Sequence, residues 1–135
     1  MKLITRNTDY AIRAISLIAQ QKGVVISAAQ LVRQSRIPHP FLRKILQILD
    51  KKGIVKSYKG KGGGFVLMRM PHRIYLIDLV ETFQGPLQLN ECLFKKMACP
   101  NKKTCALKKK LDEIEGNVIK ELGSVTMASL IDKGS

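Results

Sequence analysis

Three cysteines stand close together in the second half of the chain. Cys92, Cys99 and Cys105 are spaced C-x6-C-x5-C within the stretch ECLFKKMACPNKKTCAL. Lys95, Lys96, Lys102 and Lys103 lie between them, and Pro100 follows the middle cysteine. Apart from that proline, the only apolar residues in the interval are Leu93, Phe94, Met97 and Ala98. A segment this polar does not build a core. Soft thiolates gathered in a loop select zinc, copper(I) or iron–sulfur clusters. The competing reading is three ordinary thiols, because a free cysteine packs as a small hydrophobe. Spacing and polarity alone leave both open.

Composition limits what such a site can serve. The chain has 135 residues, enough for one domain with a real core. An odd cysteine count without a secretory signal predicts a reducing, cytoplasmic setting rather than a disulfide framework. The first apolar run, Ala11 to Ala19, is broken by Arg13 and preceded by Arg6 and Asp9. It is neither a signal-peptide core nor a membrane span. The formal net charge is +14 and it is unevenly placed. Residues 1–75 hold 15 Lys/Arg against Asp9 and Asp50, whereas residues 76–135 hold 9 Lys/Arg against 8 Asp/Glu. A basic half of this kind is the electrostatic footprint of nucleic-acid binding. An anionic membrane would attract the same charge, but a surface-lying helix needs a large apolar face opposite its basic one. Here the basic residues scatter over several short elements, so no membrane partner is expected.

Those elements can be taken in order. A first helix spans residues 5–21, with Thr5 as N-cap and Gly23 beyond its end. Ala11, Ile12, Ile15, Ile18 and Ala19 form its buried stripe. Asp9 lies near its start, where a negative charge suits the helix dipole. Ser27 caps a short second helix, SAAQLVRQ, with Ala28, Leu31 and Val32 turned inward. The turn SRIP leads to a third helix from Pro38 to Lys52. Phe41, Leu42, Ile45, Ile48 and Leu49 make its buried face, and His39, Arg43, Lys44, Gln47, Lys51 and Lys52 lie largely opposite. This describes a helix-turn-helix, although a helical hairpin with a solvated charged face would read the same way.

The next segment tips the balance. Two strand-like runs, Ile54 to Tyr58 and Phe65 to Met68, flank Lys59-Gly60-Lys61-Gly62-Gly63-Gly64. They predict a β-hairpin whose tip is four glycines and two lysines. Such a tip has little side-chain bulk and can approach a phosphate backbone or enter a narrow minor groove. It lacks the G-x-x-x-x-G-K-[ST] pattern of a nucleotide phosphate loop, and no helix follows it at once. Helix-turn-helix plus basic wing makes a winged helix.

Residues 71–75 read as a short extended segment, and Leu76 to Phe83 as a fourth helix ended by Gln84-Gly85-Pro86. After Cys105 a long helix runs to about Leu122. Its apolar residues Leu107, Leu111, Ile114, Val118, Leu122 and Val125 form an a/d-like stripe, predicted to pack against the same helix of a second chain. Thr126 caps a last helix, Met127 to Ile131. The expected fold is mainly α with a small β-hairpin wing. The winged helix-turn-helix occupies 1–75. The cysteine loop and a long C-terminal dimerisation helix occupy 76–135. Together they form one compact domain of an intertwined homodimer.

With wing and cysteines in place, the sequence resembles the Rrf-type transcription regulators nearly end to end. The matching stretches are Thr8-Asp9-Tyr10-Ala11, Lys59-Gly60-Lys61-Gly62-Gly63-Gly64-Phe65, Asp78-Leu79-Val80, the three cysteines, and Thr126-Met127-Ala128-Ser129-Leu130. Their order and spacing together are specific. The resemblance implies a dimeric bacterial DNA-binding regulator, more often a repressor, with a 2Fe-2S or 4Fe-4S cluster on Cys92, Cys99 and Cys105. IscR-like members add a histidine three residues after the last cysteine, where this chain has Lys108. NsrR-like members add an aspartate from the partner chain in a Thr-Asp-Tyr segment, and Asp9 matches it. Double-stranded DNA with a palindromic operator is the implied partner. The candidate contacts are Ser27, Pro38, His39, Pro40, Arg43 and Lys44 around the third helix, and Lys59, Gly60 and Lys61 in the wing. IscR-like members carry an acidic residue at the place of Arg43 and an arginine at that of Lys59, which implies a different operator. Two other readings stand beside this one: a cluster-free repressor governed by a protein partner, and a structural zinc on the cysteines. Enzymatic chemistry is not expected. A cysteine nucleophile needs a base and an orienting group, and neither His39 nor His72 supplies such a constellation.

Overall fold

The computed structural model describes residues 3–86 and 106–134. The cysteine segment lies outside the described residues. The elements are α1 (Arg6–Gln20), α2 (Ala28–Ser35), α3 (His39–Lys51), β1 (Val55–Tyr58), β2 (Gly64–Leu67), α4 (Leu76–Gln84), α5 (Ala106–Ser124) and α6 (Met127–Gly134). The two strands pair antiparallel, with Val55 opposite Leu67 and Tyr58 opposite Gly64. No described helix is long and apolar enough to cross a membrane.

Each boundary has a local cause. Thr5 caps α1, its hydroxyl accepting from the Thr8 amide at 3.4 Å. Ser27 and Gln30 form a reciprocal capping box at the start of α2. Between α2 and α3, Arg36 adopts a left-handed conformation with φ +60. Ile37 then drops into the core, and its amide donates to the buried Ser35 hydroxyl at 3.1 Å. That turn fixes how α2 presents α3. Thr126 and Ser129 cap α6 by the same reciprocal pattern as α2, at 3.2 and 3.3 Å.

One core unites the winged helix. Ala11, Ala14, Ile15 and Ile18 of α1 pack with Leu31, with Leu42, Ile45, Leu46 and Leu49 of α3, and with Ile26, Ile54 and Val55. Met127 at the head of α6 is fully buried in the same cluster, beside Ile74 and Leu79. The C-terminal helix therefore returns to support the helices and hairpin of the N-terminal half. Its amide donates to the Ile74 carbonyl at 2.8 Å, and Leu76 donates to Val125 at 2.9 Å.

Three expectations are corrected here. Phe41 and Ile48 do not belong to the buried face of α3: they are 38 % and 37 % exposed, and Leu46 takes the inward place. At 3.6 residues per turn, Leu42, Ile45, Leu46 and Leu49 share one face, while residues 41 and 48 sit at its edge. Residues 71–75 are not simply extended. Pro71–Arg73 form one turn of 3-10 helix, and Ile74 and Tyr75 then run beside the Thr126 segment, Tyr75 bridging to Thr126. The α5 stripe is divided. Val118 and Leu122 pack on the chain's own Val80, Leu76, Ile77 and Ile4, whereas Leu107 is 67 % and Ile114 is 42 % exposed. Val118 and Leu122 in the C-terminal half are thus used within the chain, whereas Leu107 and Ile114 toward the N-terminal end are left uncovered.

Candidate nucleic-acid interface and cysteine segment

The outer face of α3 and the inner side of the wing enclose an open cleft of ≈ 350 Å³. His39 and Arg43 line it from α3, and Lys59 lines it from the wing. These three sequence candidates, from one helical turn of α3 and the start of the hairpin tip, converge on one surface. Gln47 and Tyr58 line the same cleft and were not among them. Gln47 was legible as an outward residue of α3. Tyr58 was legible only as a strand residue, because nothing in a short strand says which side its ring takes. The ring is 46 % exposed, with the Lys56 ammonium 5.1 Å from its centroid.

The remaining candidates are spread around this cleft. Pro38 is the N-cap residue of α3, Pro40 lies in its first turn, and both are exposed. Lys44 projects from α3 into solvent. Gly60 and Lys61 form the hairpin tip, closed by a Gly63 amide to Gly60 carbonyl bond of 3.0 Å, and Gly60 holds φ +90. Ser27 sits at the start of α2 with its hydroxyl engaged by Gln30. The carboxylate nearest the cleft's basic groups, Asp50, accepts from the Ser57 hydroxyl at 3.3 Å. The surface is therefore basic on both walls, and the wing is braced against α3 from below.

Asp9 stands apart from this surface. Its carboxylate pairs with Arg13 at 2.8 Å, one helical turn on, and both side chains are about half exposed at 45 % and 53 %. A pair of this kind is worth only about 0.3–0.5 kcal/mol, so the carboxylate is weakly held and open to a stronger cation. Tyr10 follows it, its ring 6.3 Å from that of Phe41, over which Arg6 also lies at 5.0 Å. Phe41 thus stays outside the core, resting against the half-buried Tyr10 and under Arg6. Lys108, at the place of the IscR-like histidine, pairs with Asp112 at 3.4 Å. His72 lies exposed in the 3-10 turn. Among the described residues no three His, Cys, Asp or Glu side chains converge as a metal site, and Cys92, Cys99 and Cys105 lie outside them.

Residues 4–133 match the Rrf2 family, described as an iron-dependent transcriptional regulator. The chain belongs to the Rrf2 family. It is 29 % identical over 130 residues to the HTH-type transcriptional regulator NsrR of Shouchella clausii, covering 95 % of this chain and 87 % of that one. In fold it is similar to T. potens IscR, with a TM-score of 0.75 at 23 % identity, over 100 % of this chain and 89 % of the other. It is similar too to CymR, the global cysteine regulator of B. subtilis, with a TM-score of 0.77 at 24 % identity over 98 % of both chains. The Rrf2 chain described here is accordingly a winged-helix transcriptional regulator that binds DNA, and its chemistry is recognition rather than catalysis.

Proposed function

We propose that this protein is a homodimeric cytoplasmic repressor whose operator affinity is set by an iron–sulfur cluster. The observation that carries the reading is the C-x6-C-x5-C segment in a chain of an iron-dependent regulator family that also holds Thr8-Asp9-Tyr10. Three thiolates fit iron–sulfur ligation by softness. Cys92, Cys99 and Cys105 would hold the cluster, with Asp9 of the partner subunit as the fourth ligand. When bound, the cluster supplies a centre sensitive to nitric oxide, iron supply or redox state.

The protein's own residues do the rest. Arg43 is suited to read guanine in the major groove, with Lys44 beside it. Lys59 and Lys61 take phosphates or the minor groove, and the start of α3 lies along the backbone. Residue 106, the first of α5, directly follows Cys105, so rearrangement of the cysteine segment acts on the helix that joins the protomers. The uncovered Leu107 and Ile114 supply the apolar face for that junction. A differential stability of a few kcal/mol between two arrangements is enough to switch operator binding.

The test is iron and acid-labile sulfide content, with an absorption spectrum, on protein purified without oxygen, followed by operator titration of loaded and emptied samples. Near-stoichiometric cluster and a change in DNA affinity on removal are expected. Zinc alone would assign the cysteines to a structural site. No metal after reconstitution would move regulation to a protein partner. Within the same titration, Arg43→Ala should weaken operator binding by about 10–100-fold, equivalent to roughly 1–3 kcal/mol. An unchanged Kd would remove Arg43 from the base-reading set.

A further inference from the structure

Gln84 is the last residue of α4, directly before Gly85 and Pro86 lead toward the cysteine segment. Its side-chain amide reaches across to the start of α1. The Oε1 atom accepts from the Thr5 backbone amide at 2.8 Å and from the Thr8 hydroxyl at 2.6 Å. Its Nε2 donates to the Leu3 carbonyl at 3.1 Å. One side chain therefore ties three residues of the N-terminal segment to the end of α4, across some eighty positions of sequence.

The chemistry of this contact is specific. Helix N-termini leave backbone amides without intrahelical partners, and Thr5 is the N-cap of α1. Thr8 is fully buried, so its hydroxyl must find a partner inside the protein. It has two oxygens within reach, Gln84 Oε1 and Thr5 Oγ1, the latter at 3.2 Å. Only a carboxamide of this length offers a doubly used acceptor and a donor at once. A leucine fills the volume and makes none of the bonds. A glutamate keeps both acceptor bonds and loses the donor.

The position gives the contact its meaning. Thr8 immediately precedes Asp9, and the Asp9 amide donates to the Thr5 carbonyl at 3.0 Å. Tyr10 of the same helix meets Phe41 of α3, and α1 shares its buried face with α3. A displacement of the chain at Gly85 therefore meets, through one side chain, both the residue beside Asp9 and the helix that backs the reading head. Gly85 holds φ +80, a conformation that favours glycine and sets the exit of the chain from α4.

We propose that Gln84 is a positioning residue: it latches the end of α4 to the start of α1 and so couples the cysteine segment to Asp9 and to α3. This rests on the cluster-sensor reading above. The consequence is that Gln84 governs how strongly cluster state changes DNA affinity, rather than DNA affinity itself.

The experiment compares full-length wild type, Gln84→Leu, Gln84→Glu and Thr8→Val, each loaded and emptied. It reads cluster content, operator Kd and amide hydrogen exchange at residues 5–9. Gln84→Leu should keep its fold and cluster while the fold-difference between loaded and emptied Kd shrinks at least about fivefold, within the usual range of coupling factors. Exchange at residues 5–9 should accelerate in both its forms. Gln84→Glu should retain most of the fold-difference. Thr8→Val, which removes the hydroxyl that meets Gln84 Oε1 and Thr5 Oγ1 with little change of volume, should lie between them and serves if the leucine variant does not fold. A loaded wild type with cluster-dependent binding and an equal fold-difference in Gln84→Leu and Thr8→Val would overturn the latch alone. A wild type that takes up no cluster would overturn the sensor reading and the latch with it.

Discussion

Replacing Cys99 with alanine is expected to leave a folded dimer that holds no iron–sulfur cluster. Cys99 lies outside the described residues, and among those the buried apolar groups of the winged helix form a core of their own, so secondary structure and melting temperature are expected to change little. Cluster ligation by three thiolates has no spare thiolate to fall back on: the interval between Cys92 and Cys105 otherwise offers lysines, a threonine, an asparagine, the weaker Met97 thioether and apolar groups. Lysine ammonium groups do not ligate, and amide or hydroxyl oxygens are poor donors to iron in such clusters. Loss should therefore approach completeness by iron and acid-labile sulfide assay, with the visible charge-transfer bands gone. The same sample should sediment as the wild-type dimer. Full cluster occupancy in the variant would refute the ligand assignment, and a monomer would show that dimerisation depends on the cluster rather than on α5.

A second large effect is expected at the wing. A Cβ added at residue 64 would lie 2.2 Å from the Ile26 carbonyl oxygen and 2.6 Å from its carbon. Both are backbone atoms, so no rotamer change relieves the overlap. At this point the hairpin is fastened to the rest of the fold by two reciprocal bonds, Phe65 amide to Ile26 carbonyl at 2.8 Å and Ile26 amide to Phe65 carbonyl at 3.1 Å. Moving the strand to admit a methyl group breaks or lengthens both. Gly64→Ala should cost roughly 2–4 kcal/mol of stability. For a chain of this size that lowers Tm by about 10 °C. DNA affinity should fall even where the variant is fully folded, because Lys59 and Lys61 lose their fixed position beside α3. Gly60→Ala is the contrast. Its Cβ would meet nothing within 4 Å, leaving only the cost of φ +90, about 1 kcal/mol. Thermal unfolding followed by circular dichroism, with operator titration below the transition, separates the two. Equal behaviour of the variants would mean that β2 does not abut Ile26.

The sequence alone determined the order of elements, the charge of the DNA-reading half and the cysteine pattern. Caps at Thr5, Ser27 and Thr126 are local chemistry: a short polar side chain satisfies free helix amides wherever it precedes an apolar period, and all three act so. The hairpin was equally legible, because a glycine-rich tip between two alternating runs has few other folds open to it. Asymmetric charge needs no coordinates. The family resemblance rested on short stretches such as Thr8-Asp9-Tyr10-Ala11 and Lys59 to Phe65 with the three cysteines, and the family match over residues 4–133 bears it out.

Tertiary structure decided what depends on contacts between distant segments. Periodicity placed Phe41 and Ile48 at the border of the α3 stripe, but only packing shows that the core takes Leu46 and leaves Phe41 to Tyr10 and Arg6. The long stripe of α5 read as one dimer seam. In the fold its lower half is taken by α4 and the N-terminal strand of chain, since apolar surface is buried by whichever neighbour lies nearest, within or between chains. Arg43 and Lys59 are separated by the rest of α3, a turn and β1, and only the packing of the hairpin on the helices brings them to one cleft. Gln84 read as part of a helix stop. A side chain whose partners lie some eighty residues away carries no sequence signal of its own, because a hydrogen bond depends on the geometry of both partners and sequence spacing reports neither.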